Sequence, residues 1–400
     1  MVAAHGVWIG GTGCICACGN SPKEAFEGAL SGRAYFALPP HRVHSTYTDA
    51  YPVFMVEDAF LAARPKAQSI SQFLFIKCAE QAFAQADITP QQLRSKRVGV
   101  VAGSSVDASF HCFDVYHHWR QGAFSADDAQ ELKNYLSYPT AQTISAHFGF
   151  NGPFQTIVTA CASGTDAVGM AKSWIETGLC DAVLCGGTDE ISLSPYDGFI
   201  RLMVATKERC KPFSKTRTGI NVGEGAGVLL LLSEDTAKAF NIRPQGYVLG
   251  YGNACDAYHQ TAPDPEAKGL IKAIDFALKE AGLTADDLAF INAHGTASAA
   301  NDPAEGVAFR ALLPQVPVWG SKGVTGHTLG AAGAVEAVLT LEALNRKLVP
   351  PTTGFEVYDE NVGFTPTTAP TPVTKPFALS DSLAFGGCNA AVILGAADAY

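Results

Sequence analysis

The chain lacks any run of eighteen apolar residues, so no segment is expected to span a membrane. It opens Met-Val-Ala-Ala-His-Gly, with no charged stretch leading into an apolar one, so no secretory signal is expected. Its 11 cysteines include no C-x-x-C pair, and an odd count closes no disulfide framework. Reduced thiols in a cytoplasmic protein are the natural reading. Cys14, Cys16 and Cys18 alternate too tightly for ordinary zinc-ligand spacing. They read as small buried side chains, with no metal. Basic residues are in deficit, 28 against 38 acidic, for a net charge of −10. That argues against nucleic acid as a partner but leaves room for a local basic patch. Charged residues make up only 16% of the chain and hydrophobic ones 47%, which implies a large buried core and excludes general disorder.

What is present is short apolar strands alternating with helices, rich in glycine. Strands are expected at 7–13, 97–103, 181–187, 227–232, 246–252, 288–293, 317–320, 380–385 and 390–395. Helices are expected at 21–32, 69–86 and 267–281. The segment 107–151, rich in histidine and aromatics, reads as helical turns and loops. This is an α/β pattern. The series of elements starts again near residue 240. Two halves, 1–240 and 241–400, are therefore expected in one fused core, since no low-complexity linker parts them.

The strongest local signal is Thr159-Ala160-Cys161-Ala162-Ser163-Gly164. A strand-like run enters it and a helix-like pattern leaves it. Cys161 would then sit at a helix N-terminus, where free N–H groups and the helix dipole favour a thiolate. Two histidines have comparable settings. His294 follows a strand in Asn292-Ala293-His294-Gly295-Thr296. His327 lies in a Gly/Ala-rich run that starts with a turn carrying Lys322, and it would open a tightly packed helix. Neutral imidazoles can donate hydrogen bonds to an enolate oxygen, the charge that decarboxylation of a malonyl thioester creates. Lys322 would set the electrostatics around His294, with Glu305 as its candidate partner. Phe385-Gly386-Gly387 joins two strands, and the Phe385 and Cys161 N–H groups together could form an oxyanion hole, with the Phe385 ring as a gate.

Assembled, these pieces resemble the elongating β-ketoacyl-acyl-carrier-protein synthases over almost the whole length. Gly223-Glu224-Gly225-Ala226-Gly227 also matches a family segment. The resemblance implies a thiolase fold, two pseudo-equivalent βαβαβαββ halves in a five-layer αβαβα arrangement. It implies a dimer, either of two copies or with a chain-length-factor-like homologue, and an acyl carrier protein as partner. No cofactor is implied beyond the carrier's phosphopantetheine. Cys161 would accept the acyl chain, and His294 and His327 would assist decarboxylation and condensation. Lys322 would support the site, with Glu305 and Glu336 behind it. Thr296 and Ser298 match pantetheine-contacting positions. Val106, with Asp107 beside it, matches the acyl-pocket base. The polar run from Ser104 to His111 there would suit a polyketide, polyene or aryl-primed chain. Arg64, Lys66, Arg201, Lys207 and Arg209 would contribute a basic rim for the carrier. Two alternatives stand beside this reading. One is a degradative thiolase, with Cys388 as its second cysteine. The other is a non-catalytic partner subunit, against which the retained Cys161, both histidines and Lys322 argue.

Overall fold

The computed structural model describes residues 6–400 apart from 41, 42, 44, 66, 67, 107–111 and 138, and it leaves the side chains of 112–114, 131 and 134–137 undescribed. Asp107 and Lys66 therefore lie outside the described residues.

Ten strands make the main sheet among the described residues. The N-terminal five are β1 (Val7–Cys16), β2 (Val98–Gly103), β3 (Phe154–Ile157), β4 (Ala182–Asp189) and β5 (Gly225–Leu232). The C-terminal five are β6 (Gly246–Cys255), β7 (Leu288–Ala293), β8 (Val318–Gly320), β9 (Phe377–Leu383) and β10 (Cys388–Ala396). Their spatial order is β8-β7-β9-β10-β6-β1-β5-β4-β2-β3. Within each half the order is the same, third-second-fourth-fifth-first. The directions match as well: β2 runs parallel to β3 and β4, as β7 does to β8 and β9, and the remaining pairs are antiparallel. The halves join where β1 pairs β6 over three positions, Val7 with Val248, Trp8 with Tyr247 and Ile9 with Gly246.

Six helices fix the layers: α1 (Ile70–Gln85), α2 (Ser163–Glu176), α3 (Leu193–Arg201), α4 (Lys268–Ala281), α5 (Asn301–Leu312) and α6 (Ala332–Arg346). α1 packs on the outer face of the first half, and α4 on that of the second. α2 and α6 pack on each other and touch strands of both halves, giving five layers, αβαβα. α6 is buried almost all round, as a central helix must be, yet it carries Glu336 in its middle.

β1 runs three residues beyond the expected strand. Gly11 and Gly13, inside the expected strand, are there for close packing. A Cβ on Gly11 would meet the Ala82 carbonyl oxygen at 2.0 Å, and one on Gly13 the Cys78 carbonyl oxygen at 1.9 Å. The cysteine trio follows in the same buried stretch, with successive sulfurs 4.0 and 3.4 Å apart. The segment 107–151 is more regular than expected. It holds helices Cys112–Arg120, Ala126–Ser137 and Thr140–Phe148.

Candidate active site

The site forms where loops from both halves meet the N-terminal ends of α2 and α6. β3 ends at Ile157, a single helical turn spans Ala160–Ala162, and α2 starts at Ser163. Ala160 holds φ at +50°, an uncommon conformation for a side-chain-bearing residue. Ser163 pins the turn: its hydroxyl donates to the Ala160 carbonyl at 2.6 Å and accepts from the Thr159 N–H at 2.9 Å. The result presents Cys161 to a cavity of about 160 Å³, lined also by His294, His327, Phe199, Thr296, Ser298 and Phe385.

Cys161 Sγ lies 3.1 Å from His327 Nε2. The His294 and His327 rings meet edge-to-face with centroids 5.1 Å apart. His327 does not open α6. It precedes a tight turn in which Leu329 takes φ +56° and the Gly330 N–H donates to Asp189 at 2.6 Å. That turn delays the helix to Ala332. Phe199, on α3, stacks on the His327 ring at 6.0 Å and meets Phe385 edge-on at 5.7 Å.

Lys322 lies on the one-turn helix Lys322–Thr325 and is fully buried. Its ammonium has three protons and no lone pair. It meets His294 Nδ1 at 3.2 Å, the His294 carbonyl at 2.5 Å, and Glu336. Because the lysine can only donate, His294 Nδ1 accepts, and the imidazole proton sits on Nε2. That nitrogen is buried and has no partner among the described residues, so its N–H can serve an oxygen in the cavity.

Glu305 is not the lysine's partner. It accepts from the Gly295 N–H at 2.9 and 3.1 Å and from Asn301 at 2.5 Å, so it holds the loop after His294. Sequence spacing cannot tell a carboxylate on α5 from one on α6 when both face the same buried lysine.

The expectation of a Cys161 thiolate also needs correction. Burial pushes the thiol up to about 12, although Lys322 and the N–H groups of Phe385 and Cys161 oppose the rise. Burial first, then Lys322, hold both His294 and His327 well below the ordinary imidazole range. The resting pair is therefore neutral thiol and neutral imidazole. The Phe385 and Cys161 N–H groups nevertheless face the sulfur together, where an oxyanion would need them.

Thr296 and Ser298 line the cavity, their hydroxyls 3.1 Å apart. Val106 is half-buried just past β2 and does not line this cavity. In the basic rim, Arg201 is exposed at the end of α3, and Lys207 is exposed and paired with Asp49 at 2.7 Å. Arg64 is tied to its own loop at the Gln68 carbonyl. Arg209 is not a rim residue: it donates inward to the Gly323 carbonyl at 2.6 Å and the Gly32 carbonyl at 3.0 Å.

The chain matches the model of the β-ketoacyl synthase N-terminal domain over residues 4–237 and that of the C-terminal domain over 245–356. The chain belongs to the β-ketoacyl synthase family. It is 31% identical to the 3-oxoacyl-acyl-carrier-protein synthase 2 of Synechocystis sp., over 96% of each chain. The ishigamide ketosynthase/chain length factor structure matches at TM-score 0.88, with 27% identity over 98% of this chain and 100% of that one. The ketosynthase ApeO from Xenorhabdus doucetiae, in complex with its chain length factor ApeC, matches at TM-score 0.83, with 28% identity over 98% of both.

Several residues of this ketosynthase site escaped the sequence reading. Asp302 is buried and accepts from the N–H groups of Phe213 at 2.6 Å and Ala297 at 3.0 Å. Both donors hold positive φ, +63° and +65°, so one carboxylate fixes two strained turns beside the pocket. Asp189 gathers Ser104 Oγ at 2.5 Å and the Ser105 and Gly330 N–H groups, joining the β2 loop to the turn after His327. Asp381 lies fully buried in β9. The polar triplet Ser380-Asp381-Ser382 inside an otherwise apolar strand was its signal.

These groups make stability pH-dependent in two opposite senses. The folded histidines resist protonation, so below pH 6.5 the unfolded chain binds more protons. Their contribution is complete above pH 6.5 and is lost as pH falls. The buried acids act the other way. Burial raises Glu336 to about 7, and burial together with the nearby Glu336 raises Asp381. The folded state then holds protons that the unfolded state has released, and that stability is lost as pH rises. From pH 6.5 to about 8 only the second effect operates, at up to about 1.4 kcal/mol per pH unit for each group. Calorimetry should therefore show Tm falling across this window. Asp381→Asn should flatten the slope. A Tm that rises with pH here would contradict the assignment.

Proposed function

We propose that this ketosynthase takes an acyl chain from an acyl carrier protein as a thioester on Cys161 and extends it by decarboxylative condensation with a malonyl thioester. The observation that carries this reading is the convergence of three groups on one buried cavity: the Cys161 sulfur, His327 Nε2 3.1 Å from it, and the His294 Nε2–H, which has no partner among the described residues.

In the first half-reaction Cys161 Sγ attacks the incoming thioester carbonyl. His327 Nε2 accepts the thiol proton in the same step and returns it to the departing pantetheine thiol. The N–H groups of Cys161 and Phe385 receive the tetrahedral oxyanion. No thiolate need exist at rest, which fits a thiol pushed to about 12. In the second half-reaction the malonyl thioester oxygen accepts from His294 Nε2–H, and carbon dioxide leaves. The carbanion attacks the acyl carbonyl on Cys161, the C–S bond breaks, and Cys161 departs as a thiolate that takes up one proton from solvent. Lys322 makes no contact with substrate in this scheme. It fixes the His294 tautomer, and Glu336 balances its charge. Thr296 and Ser298 would hold the pantetheine arm at the cavity mouth.

The partner subunit is proposed to be a second ketosynthase-fold chain, either another copy or a chain-length-factor-like homologue. β3 is one of the two edge strands of the sheet and exposes Phe154 and the adjoining Val158, as an edge that receives a partner does. Val106 is proposed as the acyl-pocket base on sequence resemblance alone, since it does not line the cavity at Cys161; Asp107, its neighbour in sequence, lies outside the described residues. The carrier is proposed to dock at the exposed Arg201 and Lys207, and its phosphopantetheine is the only prosthetic group required. No helix among the described residues is long and apolar enough to cross a membrane. A reducing, cytoplasmic setting is proposed, in keeping with the free cysteines among the described residues.

The test supplies acyl- and malonyl-carrier protein together. The expected product is a 3-oxoacyl-carrier two carbons longer than the primer, with one carbon dioxide released per product. Cleavage of acetoacetyl-CoA by free CoA, without any carrier, would replace this reading with a degradative thiolase.

A further inference from the structure

Cys255 ends β6 and Cys388 begins β10, and the two stand directly opposite each other in the terminal rung of that antiparallel pair. Beyond this rung the two chains part to form facing loops at the cavity. Asp256, Thr261 and Pro263 line it from one side, and Ala384 and Phe385 from the other. The loops are already stitched together. The Asp256 N–H donates to the Gly387 carbonyl at 2.8 Å, and the Gly386 N–H donates to the Gln260 carbonyl at 2.7 Å. Gly386 and Gly387 hold φ at +85° and +78°, so the segment bearing Phe385 turns on two residues with wide backbone freedom.

Both cysteines are free thiols; Cys255 is exposed and Cys388 half-buried. Opposed residues of an antiparallel pair have Cα atoms about 4.5–5.5 Å apart. That lies within the roughly 4.4–6.8 Å that disulfides span. Cys255 Sγ now faces the Gly386 carbonyl at 3.7 Å, so a side-chain rotation, without strand movement, would bring the sulfurs together. Cys161 is protected by contrast. It is 6% exposed and its thiol is held far from ionisation, so oxidants meet Cys255 first.

We propose that Cys255 and Cys388 are a redox modification site, closing to a reversible disulfide on exposure to hydrogen peroxide and locking the two loops at the mouth of the Cys161 cavity. The Cys255 thiolate attacks one peroxide oxygen. The O–O bond breaks, Cys255 becomes a sulfenic acid, and hydroxide leaves and takes up the proton that Cys255 had released, giving water. The Cys388 thiolate then attacks the sulfenic sulfur. The S–O bond breaks, the S–S bond forms, and hydroxide leaves with the Cys388 proton as a second water. Two thiols lose two electrons, and one peroxide becomes two waters. A small dithiol reverses the bond.

The lock prevents the last rung from fraying, and the Gly386-Gly387 segment then cannot swing Phe385 aside for an arriving chain. This consequence rests on Cys161 being the acyl acceptor; the disulfide itself does not. The experiment treats the full-length protein with hydrogen peroxide, blocks remaining thiols with N-ethylmaleimide, and maps non-reduced peptides by mass spectrometry. In parallel, Cys161 loading from hexanoyl-pantetheine is timed before and after dithiothreitol. The expected results are a Cys255–Cys388 cross-link, loading slowed by about tenfold or more, and recovery with dithiothreitol. Cys255→Ser should give neither cross-link nor recoverable loss. Absence of the cross-link overturns the inference, as does a cross-link with unchanged loading or an equal recoverable loss in Cys255→Ser. Should the reduced protein take up no acyl group at all, the reading of Cys161 fails instead, and the peptide map still decides the disulfide.

Discussion

Replacing Lys322 by Met is expected to lower decarboxylation of a malonyl thioester by about 10²-fold and folding stability by about 3 kcal/mol. The two losses have one origin. The Lys322 ammonium spends all three protons on His294 Nδ1, the His294 carbonyl and Glu336. Without it, nothing keeps the His294 proton on Nε2, and the donor aimed into the cavity is lost in part of the population. Glu336 is left buried without its cation. The stability loss falls at the lower end of the range for a broken buried pair, because Glu336, already raised to about 7, escapes by taking up a proton. Lys322→Arg should not rescue decarboxylation. A planar guanidinium cannot present one nitrogen to three converging acceptors. Decarboxylation rates and urea midpoints of both variants check this. Normal decarboxylation by Lys322→Met would remove the lysine from the site's chemistry.

The second large effect separates the two histidines. His294→Ala is expected to reduce decarboxylation by about 10²–10³-fold, the cost of losing one oxyanion donor, while leaving acyl transfer to Cys161 nearly intact. His327→Ala should slow acyl transfer itself, because His327 Nε2 is the group 3.1 Å from the thiol and Cys161 cannot ionise unaided from a resting value of about 12. Stopped-time loading and carbon dioxide release, measured on the same preparations, resolve the two steps. Equal losses in both steps for both variants would contradict the division of labour.

The reactive groups were legible because each sits in a local context that carries its own signal. Cys161, His294, Lys322 and His327 all lie among Gly, Ala, Ser and Thr at strand or helix ends, where a polar side chain among small neighbours has few structural uses. The fold was legible for a similar reason: short apolar strands and helices recur in the same order in both halves. What escaped was set by tertiary approach. Glu305 and Glu336 are equally plausible partners for Lys322 along the chain, and only the packing of α6 between the halves decides for Glu336. The resting state of Cys161 was misjudged because a helix N-terminus is visible in sequence, whereas burial, here the larger influence, is not. Asp302 and Asp189 hold loops distant in sequence and leave no periodic trace. The extension of β1 to Cys16 escaped because Gly13 ends the apolar run in sequence, whereas in the fold it only lets the strand press against α1.

Mass spectrometry of Cys161 after incubation with an acyl-carrier protein tests the account most directly. The expected result is one acyl group per chain on the peptide containing Cys161, absent in Cys161→Ala and discharged when malonyl-carrier protein is added. An acyl group on Cys388 or another thiol, or elongation that survives Cys161→Ala, would contradict it.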